Sequence, residues 1–118
     1  MQKPRRSIVL SASTIRSLKP KERRYEVRDA LPGLVLIIQP TGGKSFAVRT
    51  RVRNRLAKIT LGRVAPDWKR RKASEDPIIG DDLTVWDARL LAATTIHQVL
   101  RGTFDPQQAE RERRRKKR

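Results

Sequence analysis

From residue 44 the chain alternates for ten residues. Phe46, Val48, Thr50 and Val52 fall on one side, and Ser45, Ala47, Arg49, Arg51 and Arg53 on the other. A period of two marks a β-strand with one buried face. The run Leu34-Val35-Leu36-Ile37-Ile38, bounded by Gly33 and Pro40, predicts the strand before it. Residues 24–29 alternate as well, with Tyr25 and Val27 on the apolar side, and residues 56–61 predict a fourth strand. The segments between them carry turn chemistry: Leu31-Pro32-Gly33, Thr41-Gly42-Gly43 and Arg53-Asn54-Arg55. The result is a meander of short antiparallel strands.

Helical spacing appears at both ends. Residues 11–18 predict one or two turns capped by Ser11 and stopped by Pro20. Near the C-terminus Val85, Ala88, Leu91, Ala92, Thr95, Ile96, Val99 and Leu100 form one apolar stripe. Thr84 and Asp87 resemble a capping box, and Gly102 followed by Pro106 closes the helix, which spans 84–101. Residues 64–82 hold two prolines, Gly80 and Lys69-Arg70-Arg71-Lys72 without periodicity. They predict a long surface loop with a helical turn near Trp68. The predicted fold is α+β: a small antiparallel sheet of three to four strands, the C-terminal helix packed on one face, and a short N-terminal helix.

Composition turns this frame towards a partner. The 118 residues suffice for one domain, and 29 Lys and Arg against 12 Asp and Glu give a net charge of +17. Residues 1–63 carry 16 basic and 3 acidic side chains, residues 64–109 carry 6 and 7, and the last nine carry 7 and 2. A basic sheet half, a neutral helix half and a basic tail suggest a polyanion, with nucleic acid ahead of a membrane surface because the long helix is not basic. Neither an 18-residue apolar run nor a signal-peptide core is present, and a cytoplasmic setting fits best. The absence of cysteine removes disulfides and zinc-finger ligation.

If the apolar side of the sheet meets the helix, Arg49, Arg51 and Arg53 line the open face about 6.6 Å apart. Lys58 and Thr60 join them with Leu56, Arg55 lies at the turn, and Val35 and Ile37 stand exposed beside them. No acidic residue in the facing strands is expected to offset the row. Arginine on an open face is ordinary in itself, but an uncompensated row backed by exposed β-branched residues points to an anion. The expected duplex-contacting residues are Val35, Ile37, Lys44, Arg49, Arg51, Arg53, Arg55, Lys58 and Thr60. Arg49 and Lys58 are the choices for bases, and the turn arginines for phosphates. No catalytic constellation is visible. His97 reads as helix surface or core edge, Tyr25 as core, Glu75-Asp76 and Asp81-Asp82 as solvated loop, and Thr41-Gly42-Gly43-Lys44 as a hairpin and not a phosphate loop. No metal, cofactor or small-molecule substrate is expected.

With these elements placed, the chain resembles the N-terminal arm-binding domain of phage and integrative-element integrases of the tyrosine recombinase class. The matching stretches are Leu10-Ser11-Ala12-Ser13-Thr14-Ile15-Arg16-Ser17-Leu18-Lys19-Pro20, Tyr25-Glu26-Val27-Arg28-Asp29, Pro32-Gly33-Leu34, Pro40-Thr41-Gly42-Gly43-Lys44-Ser45-Phe46 and Thr60-Leu61-Gly62-Arg63, with Ala88-Arg89, Gly102 and Asp105-Pro106 closing. The resemblance covers residues 10–106. Two departures stand out: residues 64–82 look like an insertion, and positions 35 and 37 are Val and Ile where relatives are often polar or aromatic. The resemblance implies binding of double-stranded DNA at arm-type attachment sites by a sheet in the major groove, supporting integration of a mobile element. It also implies contact with other integrase protomers in the full-length protein. Catalysis would belong to domains outside this chain. Residues 1–9 form a basic N-terminal segment, and 107–118 a basic linker, disordered when free, towards a core-binding domain.

The alternative is a free-standing, ribosome-associated RNA-binding protein, which the charge permits. RNA-reading sheets usually display stacking aromatics, and the open face has none.

Overall fold

The computed structural model describes residues 8–65, 79–80, 82–105, 107–108, 110–111 and 114. The elements run α1 (Ala12–Ser17), β1 (Tyr25–Arg28), β2 (Leu34–Ile38), β3 (Lys44–Val52), β4 (Arg55–Arg63) and α2 (Val85–Arg101). The strands form one antiparallel sheet in the order β1-β2-β3-β4. The fold is the expected α+β arrangement, with α2 lying on the sheet.

Register follows the alternation read from the sequence. Leu34 faces Val48, Leu36 faces Phe46, and Val48 faces Ile59. Their side chains form the core with Leu61, Leu83, Val85, Ala88, Leu91 and Ala92. A bulge interrupts β3–β4: Phe46 faces Gly62 and Ala47 faces Thr60, so Leu61 is the extra residue, and it stays fully buried. β4 runs two residues past its expected end at 61, with Gly62 and Arg63 paired beyond the bulge.

Both helix ends are closed as their sequences require. Ser11 caps α1 by accepting from the Thr14 amide. At α2, Thr84 accepts from the Asp87 amide while the Asp87 carboxylate accepts from the Thr84 amide, and Gly102 ends the helix at φ 74°. The expected stripe is buried at Val85, Ala88, Leu91, Ala92 and Thr95, but Leu100 is 79% exposed. His97 is also exposed.

Of the segment read as a surface loop, residues 66–78 and 81, including Trp68, Glu75 and Asp76, lie outside the described residues. Its two ends are tied to the fold, although Asp82 is exposed. Val64 and Leu83 form a parallel bridge, the Gly80 amide donates to the Leu61 carbonyl, and Ile79 joins the core. In the tail, Gln107, Gln108, Glu110, Arg111 and Arg114 take helical conformation, which corrects the expectation of a segment without structure at those positions. Asp105 accepts from the Gln107 amide, and Arg114 pairs with Glu110 one turn away.

One ion pair joins three parts of the fold. Asp29, directly after β1, accepts from the amides of Leu10 and Leu31, and the Arg89 guanidinium of α2 grips both of its oxygens at 2.9 and 3.1 Å. The same guanidinium donates to the Leu10 carbonyl. Burial pushes the Asp29 carboxyl up, but the Arg89 fork and the two amides outweigh it and leave it below its ordinary value. A carboxylate with a depressed folded pKa stabilises above its unfolded pKa, and that contribution is lost as pH falls through the folded value. Asp29→Asn should therefore cost about 3–5 kcal/mol near neutral pH. Urea unfolding at a series of pH values should show that cost shrinking below about pH 4, because the wild type then loses what the variant already lacks.

Candidate nucleic-acid interface

With α2 on one side, the other face of the sheet is built by the opposite parity. Pairing aligns Arg28, Val35, Ala47 and Thr60 across the four strands, and sets Arg49 opposite Lys58 and Arg51 opposite Leu56. Arg49, Arg51, Lys58 and Thr60 are thus together on one face, as expected. Arg53 and Asn54 form the two-residue loop joining β3 and β4, and Arg55 follows it, so both arginines stand at the hairpin tip.

Three expectations need correction. Val35 and Ile37 do face outward, but they are 2% and 4% exposed and form a second apolar cluster with Ala47. Lys44 shares the parity of Phe46 and Val48, and its Nζ donates to the Ile15 carbonyl at 2.6 Å. It ties α1 to the sheet and lies apart from the arginine row. The row is also compensated in part. Glu26 of β1 accepts from Arg49 Nε on Oε1 and from Arg49 Nη2 on Oε2, at 2.7 Å each, and Lys58 Nζ lies 3.7 Å from the same Oε2.

This last contact explains the buried valine and isoleucine. Because β2 lies between β1 and β3, the Glu26–Arg49 pair passes over β2, on the side where Val35 and Ile37 point. The long side chains roof the apolar cluster while their charged ends stay near solvent. The Arg49 fork holds the Glu26 carboxyl below its ordinary range against the upward push of burial, and the charges of Arg49, Lys58 and Arg24 add to the effect. With Arg49 38% exposed, solvent screening keeps the net stabilisation at about 1 kcal/mol or less.

Sequence reasoning missed Glu26, yet the signal was there. Tyr25 and Val27 point to the core side, where they pack against it, and so Glu26 and Arg28 point outward. What the pattern did not carry was the reach of Arg49 across a whole strand. A hollow of about 720 Å³ lies beside the pair, lined by Glu26, Arg28, Gly33, Val35, Arg49 and Leu56. Leu56 is 68% exposed and is the large apolar side chain this face offers to solvent. Arg51, Arg53 and Arg55 are exposed, and their side chains make no hydrogen bond or ion pair among the described residues. Tyr25 lies on the helix side and donates to the Lys19 carbonyl, so no aromatic occupies the described outer face.

The face is therefore a cationic sheet and hairpin tip, opposite a capped and nearly neutral helix. Among known families, the model of the arm DNA-binding domain matches residues 10–113, and the chain belongs to that family. The domain is found in phage integrases and is a DNA-binding, non-catalytic unit. No curated protein and no solved structure matches the chain. Among the described residues, no helix is long and apolar enough to cross a membrane.

The hairpin tip has a measurable cost. Arg53 and Asn54 have φ of 53° and 66°, the left-handed conformation of a type I′ turn, which asparagine tolerates better than arginine. Arg53→Asn should raise stability by up to about 1 kcal/mol. The same substitution should lower the salt slope of DNA binding by about one. Thermal unfolding and titration of a duplex at several salt concentrations should show the two changes with opposite signs.

Proposed function

We propose that this domain recognises arm-type attachment sites in double-stranded DNA for an integrase of the tyrosine recombinase class, with the outer sheet face in the major groove. In that role it supports site-specific integration of a mobile element and works beside other integrase protomers in the full-length protein. The observation that carries the reading is the alignment of Arg49, Arg51 and Lys58 on one face, with Arg53 and Arg55 at its tip. A strand pair of this kind fits a groove about 12 Å wide. Arg49 and Lys58, in mid-strand, are the base-reading candidates. Arg51 serves either role, the tip arginines meet phosphates, and Thr60 lies at the border of the contact.

The burial of Val35 and Ile37 makes them the floor beneath the readers. A thymine methyl would meet Leu56 instead, exposed opposite Arg51. The RNA-binding alternative lacks support, because the described outer face offers no aromatic for base stacking.

Competition titrations at two salt concentrations test the division of labour, using a duplex selected by the wild-type domain from a random pool and its shuffled counterpart. Arg49→Ala should reduce the preference for the selected duplex. Arg55→Ala should weaken both duplexes about equally and lower the salt slope by about one. Equal weakening of both duplexes by Arg49→Ala would make Arg49 a phosphate anchor.

A further inference from the structure

Glu26 is an acidic side chain in the middle of a surface otherwise made to attract an anion. Its carboxylate is 20% exposed and contacts both mid-strand cations of that surface, Arg49 and Lys58. A carboxylate placed there weakens attraction to phosphate, so its presence needs a second reason. Stability supplies little of one, since exposure of Arg49 leaves the pair weakly stabilising.

The geometry of the pair supplies the reason. A guanidinium has five N–H donors in a rigid plane. Glu26 takes Nε and one Nη2 hydrogen, which uses one edge of the fork. The other edge keeps two parallel donors, from Nη1 and Nη2, the arrangement that matches guanine O6 and N7. Arg49 is 38% exposed and lines the hollow beside the pair, so the side chain is not enclosed by the protein. An arginine free in solvent must give up most of its rotamer freedom when it binds a base. One already clamped by a carboxylate has given up much of that freedom before DNA arrives.

We propose that Glu26 is a positioning residue for base recognition: it holds Arg49 so that the unused edge of its guanidinium reads a guanine, trading non-specific affinity for specificity. This rests on the reading of the outer face as the DNA-binding surface. Lys58, at 3.7 Å, adds a second cation to the same carboxylate, and its charge adds to the hydrogen bonds and charge of Arg49 that hold the Glu26 carboxyl below its ordinary value.

The test is selection from a randomised duplex pool, run in parallel with the wild-type chain, Glu26→Gln, Arg49→Ala and the double variant. Titration of the selected and shuffled duplexes follows. Glu26→Gln should bind the shuffled duplex more tightly, since it removes a negative charge. Its preference for the selected duplex should fall about 3–10-fold, a part of what a bidentate arginine–guanine pair contributes. The preference should relax at the same base pair that Arg49→Ala relaxes. The double variant should discriminate no worse than Arg49→Ala alone. A purely structural role would lower the melting temperature without singling out that base pair. If Glu26→Gln keeps the wild-type preference while Arg49→Ala loses it, Arg49 reads the base unaided and the positioning role is overturned. If the wild type selects no sequence, or Arg49→Ala leaves discrimination intact, the underlying reading of the face fails and this proposal fails with it.

Discussion

The Asp29 carboxylate is fully removed from solvent, and Arg89 and two backbone amides from separate parts of the chain answer it. Much of the architecture depends on that contact. It joins the segment before α1, the turn after β1 and the first turns of α2, which are far apart in sequence. Such a pair contributes modestly when intact, because desolvation offsets the attraction, but removing one partner leaves the other uncompensated. Its consequence is orientational. With Arg89 joined to Asp29, α2 lies along the inner face of β2, β3 and β4 and leaves the outer face uncovered by it.

Gly33 ties this clasp to the outer face. It sits at φ 91°, and a Cβ there would come within 3.0 Å of the Ile96 side chain and 3.2 Å of the Arg49 carbonyl. The Arg49 amide donates to the Gly33 carbonyl. The turn that Asp29 braces therefore also fixes the backbone from which Arg49 reaches. Beneath the cations lies a thin apolar layer of Val35, Ile37 and Ala47, roofed by Arg49 and Glu26. That layer gives the Arg49 and Glu26 side chains an apolar surface to lie on, while Arg51, Arg53 and Arg55 stay exposed.

Much of this was legible in the sequence because the local rules agree with one another. The alternation from Lys44 sets the register of three strands, Thr84 and Asp87 form the expected capping box, and Gly42 and Gly102 adopt the positive φ that their turns demand. The errors have a common physical source. Parity says which way a side chain points but not what crosses above it, so Val35 and Ile37 read as exposed and Glu26 went unnoticed. Lys44 differs, since its parity already placed it with Phe46, and only its charge suggested the outer face. Leu100 fits the helical stripe yet is exposed near the end of α2, where periodicity alone does not report what lies opposite.

The central claim is that the outer sheet face, and not the helix, meets DNA. Backbone amide chemical shifts of the domain, followed as the selected duplex is added, test it most directly. The account predicts that the perturbed amides cluster within residues 35–60, strongest in β3, β4 and their hairpin tip, while those of residues 85–101 stay nearly unmoved. Perturbations concentrated on α2, with the sheet amides unchanged, would contradict it.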